Sequence, residues 1–157
     1  MQVRTKVWGV LEVPEERLVH MANGPLGFED LRRFVLIEQE ELKPFLWLLS
    51  VDDPETGFAV ADPHYFHPGA YPLMLSEIDE AMLDLAEADN LSVFAIVTVQ
   101  PDGEATANLK GPIVFNPRNR LARQVVAYGS SLSVRQPMLR RRSVPLPTVV
   151  GEVTEGT

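Results

Sequence analysis

The chain has 157 residues, 45% of them hydrophobic, and no cysteine. That supports one packed domain in a reducing compartment and excludes disulfides, thiolate zinc sites and cysteine nucleophiles. Residues 1–90 carry 18 acidic and 6 basic side chains and residues 91–157 carry 4 and 8, so the leading portion holds −12 and the remainder +4, summing to the formal charge of −8; the negative sign repels nucleic-acid phosphate and attracts basic proteins.

The opening MQVRTKVWGV shows no secretory pattern. The strongly apolar runs, such as residues 91–99, are of strand length and far short of the ~20 residues of a membrane span. The expectation is a soluble, cytoplasmic protein, in which the Asn90-Leu91-Ser92 acceptor triplet has no role.

In chain order, Val3, Thr5 and Val7 alternate with polar residues and residues 10–13 continue to Pro14, predicting one or two strands. Residues 17–22 predict the next, closed by the turn signals at 23–27. Residues 34–38 and 45–51 are apolar and strand-length. The turn at 52–57 then leads into 58–61, an antiparallel hairpin with a long loop. Phe45 and Trp47 share one face of their strand with Phe58 across the hairpin, a core arrangement.

Residues 62–72, with three prolines and a glycine, read as loop. The clearest helix follows: Ser76 is its N-cap, Asp79 its capping-box partner, and Ile78, Met82 and Leu85 fall at helical spacing. Residues 91–100 predict a long strand turned by Pro101-Asp102-Gly103. Residues 105–126, ATANLKGPIVFNPRNRLARQVV, then read as strand, Gly-Pro break, strand, polar turn and strand. Asn108 and Asn116 stand at the edges of apolar runs, where an amide can bond a chain reversal. The class is mostly β: a compact antiparallel barrel-like or sandwich domain with one or two short helices over residues 1–137. A flexible tail with Arg140, Arg141, Arg142, Pro145 and Pro147 occupies 138–157.

Catalytic patterns fail in turn. There is no Gly-x-Ser-x-Gly elbow, and Gly24 and Gly27 precede no phosphate-loop lysine. Asp52-Asp53 beside Pro54 reads as turn chemistry. Asp62, His64 and His67 offer imidazole and carboxylate for a metal-dependent enzyme, but at a spacing of no established zinc pattern; His20 on a strand reads as structural. The expectation is therefore no catalytic residues, no metal and no cofactor, and a surface made for protein contacts.

Several segments together resemble the FliW family of flagellar assembly factors. They are Gly27-Phe28-Glu29 followed by Phe34, the block PFLWLLSVDDPETGFAVADP at 44–63, and the strand at 97–99. Asn108-Leu109, Gly111-Pro112-Ile113-Val114 and Gln124-Val125-Val126 complete the set. Their order and spacing over residues 3–137 carry the match. The resemblance implies a β-barrel-like fold, no enzymatic activity and two protein partners. One is CsrA, an RNA-binding translational regulator whose repression of flagellin mRNA is relieved by binding. The other is flagellin, which competes for the factor; a flagellin chaperone without translational control is the alternative. Contact or contact-shaping roles are expected at Phe28, Glu29, Asp62, Asn108, Gly111, Pro112 and Asn116. The tail beyond 137 departs from the family pattern, and neither nucleic acid nor membrane is an expected partner.

Overall fold

The computed structural model describes residues 1–129 and 131–139. An antiparallel hairpin, β1 (Gln2–Thr5) with β2 (Gly9–Glu12), precedes the main sheet. The sheet comprises β3 (Val19–Met21), β4 (Arg33–Glu38), β5 (Leu46–Ser50), β6 (Gly57–Ala61), β7 (Ser92–Val99), β8 (Ala105–Asn116) and β9 (Leu121–Gln124). Neighbours from β3 to β9 pair antiparallel in sequence order, and β3 then pairs with β9, closing a seven-stranded barrel. That last pair is parallel, with His20 opposite Leu121 and Met21 opposite Ala122, so the barrel is mixed rather than wholly antiparallel. Closure removes the open edges of a sheet and separates barrel from sandwich. A two-residue β10 (Gln136–Pro137) flanks the start of β8.

Side-chain alternation along each strand builds three apolar layers. Every strand of the ring contributes to the first: Val19 and Met21, Phe34, Leu48, Val60, Ile113, Phe115 and Ala122, with Phe58, Phe94 and Ile96 packed against them. These fill the barrel and leave a cavity of only about 10 Å³, roughly enough for one water centre and too small for an organic ligand. The opposite faces of β4 to β8 form a second layer with Val35, Trp47, Leu49, Ala61 and Val97, covered by the β1–β2 hairpin through Val3 and Trp8. Phe45 and Trp47 are core residues as expected, whereas Phe58 faces the barrel interior, opposite Leu48 in the ladder rather than Trp47. Burying each such aromatic or aliphatic side chain contributes about 1.5–3 kcal/mol.

The third layer joins Val114 and Val125 to Leu83 beneath α1 (Glu77–Met82). Its capping box is formed: the Asp79 N–H donates to Ser76 Oγ at 3.1 Å and the Ser76 N–H to Asp79 Oδ2 at 3.0 Å. The helix stops at Met82, so Leu85 lies beyond it, and Asp79 and Leu83 are the residues turned inward. Ile78 and Met82 therefore face solvent, although their spacing is that of a core stripe.

Two other sequence expectations change. Residues 15–17 form a 3-10 turn, so the strand expected at 17–22 is shortened to Val19–Met21. The Gly111-Pro112 step does not end a strand; β8 runs through it. It is a bulge instead: Phe94 faces Ile113 and Ile96 faces Asn108, so Leu109 to Pro112 oppose Ala95 alone. The Asp52-Asp53 turn matches its reading, with Asp53 accepting from the Glu55 N–H at 3.1 Å and from Thr56 Oγ1 at 2.7 Å. Arg140, Arg141, Arg142, Pro145 and Pro147 lie outside the described residues.

Candidate partner-binding surface

The loop over residues 22–32 is folded by its glycines. The Gly24 N–H donates to Glu29 O at 3.2 Å, and a Cβ at this position would stand 2.2 Å from Phe28 O and 2.3 Å from Leu31 O. Only glycine permits that approach. Gly27, at φ 91°, donates its N–H to Glu29 Oε2 at 3.1 Å, a bond that holds the exposed Glu29 carboxyl below its ordinary pKa. Folded this way, the loop presents Leu26 and Phe28, 82% and 40% exposed.

The same loop is fastened to the β8 bulge by one side chain. Gln124 accepts the Leu26 N–H at 2.7 Å and donates Nε2 to Gly111 O at 2.9 Å. Phe28 packs edge-on against Phe58 with ring centroids 5.2 Å apart. Asn108 accepts the Lys110 N–H at 3.0 Å, and its amide stands beside Gly111. Pro112 is buried and its carbonyl accepts the Val125 N–H at 2.9 Å. Phe28, Glu29, Asn108, Gly111 and Pro112 therefore belong to one assembly of loop and bulge. Gln124 and Leu26 complete it; the first was visible only as part of a motif and the second only as a turn residue.

The remaining two expected residues lie apart from that linkage. Asp62 caps the 3-10 turn Pro63–Tyr65, accepting the His64 N–H at 2.9 Å and facing His64 Nδ1 at 2.8 Å. Asn116 is 0% exposed at the far end of β8. Its Nδ2 donates to Leu83 O at 3.2 Å and to Asp89 Oδ2 at 2.9 Å, and its Oδ1 accepts the Arg118 N–H at 3.3 Å. Around it, Arg118 Nε donates to Asp89 at 2.6 Å, Asn119 Nδ2 to Leu83 O at 2.9 Å, and Arg123 Nε to Asp79 at 2.7 Å. Asn116 is thus the centre of a polar latch that ties the helical segment to the β8–β9 turn.

The latch shifts its acids. The Arg118 guanidinium, with the Ala86 N–H, holds Asp89 well below the usual carboxylate range. Burial pushes Asp79 up, but its bonds from Arg123 and Ser76 outweigh that and leave it lowered. On the other side of the barrel, Arg33 likewise lowers Asp52, donating Nε at 3.2 Å. These are structural ion pairs, not an acid/base couple. His67 turns its ring toward Tyr71, 5.7 Å between centroids, while Asp62 pairs with His64. Among the described residues no three His, Cys, Asp or Glu side chains converge as metal ligands, and no helix is long and apolar enough to cross a membrane.

The fold and sequence match known proteins closely. The FliW protein family model matches residues 2–138. The flagellar assembly factor FliW of Geotalea uraniireducens is 40% identical over 138 residues, covering 87% of this chain and 83% of the relative. That of Bdellovibrio bacteriovorus is 37% identical over 153 residues, 95% and 87% of the two chains. A crystal structure of the flagellar assembly factor FliW superposes with a TM-score of 0.79 at 29% identity, over 89% of this chain and 98% of that one. The family model and the relatives cover the barrel that holds the segments at 27–29, 44–63, 108–114 and 124–126, and this chain belongs to the FliW family of flagellar assembly factors.

Proposed function

We propose that this protein is a non-enzymatic cytoplasmic regulator that binds two proteins in alternation. One is CsrA, whose repression of flagellin mRNA is relieved when it is bound. The other is flagellin, which competes for the factor, so that free flagellin feeds back on its own translation. Family membership supports the flagellar role, and the charge distribution supports the basic partner. In residues 1–90 three of the six basic side chains are already engaged, Lys6 with Glu55, Arg33 with Asp52 and Lys43 with Glu40. The field that remains is acidic, which speeds encounter with a basic protein and repels RNA from the complex.

Contacts at Phe28 and Glu29, with Asn108, Gly111 and Pro112 shaping the surface, are part of this proposal; so are contacts at Asp62 and a supporting role for Asn116. Calorimetric titration with CsrA from the same source is expected to give binding that weakens as salt rises. No complex at low salt would refute the reading. A chaperone without translational control differs in one outcome: adding flagellin would leave CsrA–RNA binding unchanged in the presence of this protein.

A further inference from the structure

The segment over residues 69–90 contains no lysine, arginine or histidine. Two of its six acids, Asp79 and Asp89, are neutralised by Arg123 and Arg118 of the barrel. The other four, Glu77, Glu80, Asp84 and Glu87, are exposed and have no ion-pair partner among the described residues. Among these acids stand large apolar side chains in water. Ile78 is 66% exposed and Met82 36%, one turn apart on the same face of α1. Met74, in the non-helical segment before the Ser76 cap, is 83% exposed.

This face is not a frayed element. The latch through Asn116, Arg118, Asn119 and Arg123, with Leu83 buried beneath it, fixes α1 with only Asp79 and Leu83 inward. An apolar stripe turned outward costs hydration free energy unless something covers it. Methionine adapts its shape to different apolar partners. A rim of one sign around such a stripe selects the opposite sign.

We infer that the exposed Ile78 and Met82 of α1, with Met74 from the segment before its cap and the exposed carboxylates of Glu77, Glu80, Asp84 and Glu87 along the same stretch of chain, form a docking surface for a basic polypeptide. That occupant presents apolar side chains flanked by lysine or arginine. The inference deepens the functional reading above by assigning the basic partner a place on the barrel, and its test separates the two.

The experiment titrates the full-length protein with two probes, CsrA from the same source and a synthetic leucine-lysine amphipathic helix of about 15 residues. Three variants are compared with wild type: M74Q/I78S/M82Q, E80Q/E87Q, and E12Q/E16Q, which neutralises exposed acids elsewhere. All substituted side chains are exposed, and circular dichroism checks that each variant is folded. The expected result is that M74Q/I78S/M82Q weakens both probes about tenfold or more. The E80Q/E87Q variant should weaken them about threefold at low salt and flatten the salt dependence, and E12Q/E16Q should change neither. Equal affinity of M74Q/I78S/M82Q and wild type for CsrA overturns this inference and leaves the functional reading standing. Failure of CsrA to bind wild type, with the peptide still sensitive to the stripe, overturns the functional reading and supports the docking surface. Equal weakening by E12Q/E16Q would assign the attraction to the general field and overturn the inference. So would peptide binding that tightens tenfold when Arg140, Arg141 and Arg142 are all replaced by alanine, since the chain's own basic tail would then be the occupant.

Discussion

Replacing Asn116 by alanine separates a structural role from a contact role. The side chain is wholly buried and donates two bonds, to Leu83 O and Asp89, while accepting the Arg118 N–H. Leu83 O keeps its bond from Asn119, and Asp89 keeps Arg118 and the Ala86 N–H, so neither acceptor is left wholly bare. Losing the donated bonds costs about 1 kcal/mol each. The small void left behind adds about as much as one of them. The total is about 2–3 kcal/mol, or roughly 4–12 °C in Tm for a domain of this size. Urea titration followed by tryptophan fluorescence measures it, because Trp8 and Trp47 are both buried, 5.7 Å apart edge-on, and unfolding exposes both. The reasoning is refuted if the urea midpoint is unchanged while CsrA binding falls tenfold. That result would make Asn116 a contact residue reached by opening the latch.

Other outcomes follow from the same geometry. Asp79 and Asp89 have folded pKa values below their unfolded ones. Their stabilisation is therefore full above the unfolded value near pH 4 and is lost as pH falls through the folded values. Thermal melts between pH 7 and pH 2 should lose stability in that acid range, and D89N should flatten the acid limb while lowering stability at pH 7. Gly24→Ala places a methyl against two backbone carbonyls and should cost about 3 kcal/mol or more, read from its urea midpoint; a wild-type midpoint would show that the loop can open freely. Gly111→Ala instead meets the side-chain ends of Gln124 and Asn108 at 2.9 and 3.2 Å. It should cost only about 1 kcal/mol while unfastening the 22–32 loop, seen as faster amide exchange at Leu26. Phe28→Ala should lower stability by about 1 kcal/mol through the lost Phe58 contact and weaken partner binding more than stability, by calorimetry.

Much of this molecule is legible in its letters because strands and turns are specified locally. Alternating Val, Phe and Leu give the strands, Asp52 to Gly57 gives the hairpin turn, and Ser76 with Asp79 gives the capping box. The ordered blocks from 27 to 126 also mark the family. Three features depend on the assembled barrel. The parallel pairing of β3 with β9 joins residues about a hundred positions apart, and no local pattern encodes a partner so distant. The orientation of α1 is set by what lies beneath it: Arg123 draws Asp79 inward and Val114 and Val125 receive Leu83, so helical spacing alone does not say that Ile78 and Met82 face solvent. Gln124 is an ordinary strand glutamine in the sequence, and only the closed ring brings Leu26 and Gly111 within reach of its amide. Short-range sterics and hydrophobic alternation are properties of neighbouring residues, whereas the face a helix shows and the bridge a side chain makes depend on distant groups that only folding brings together.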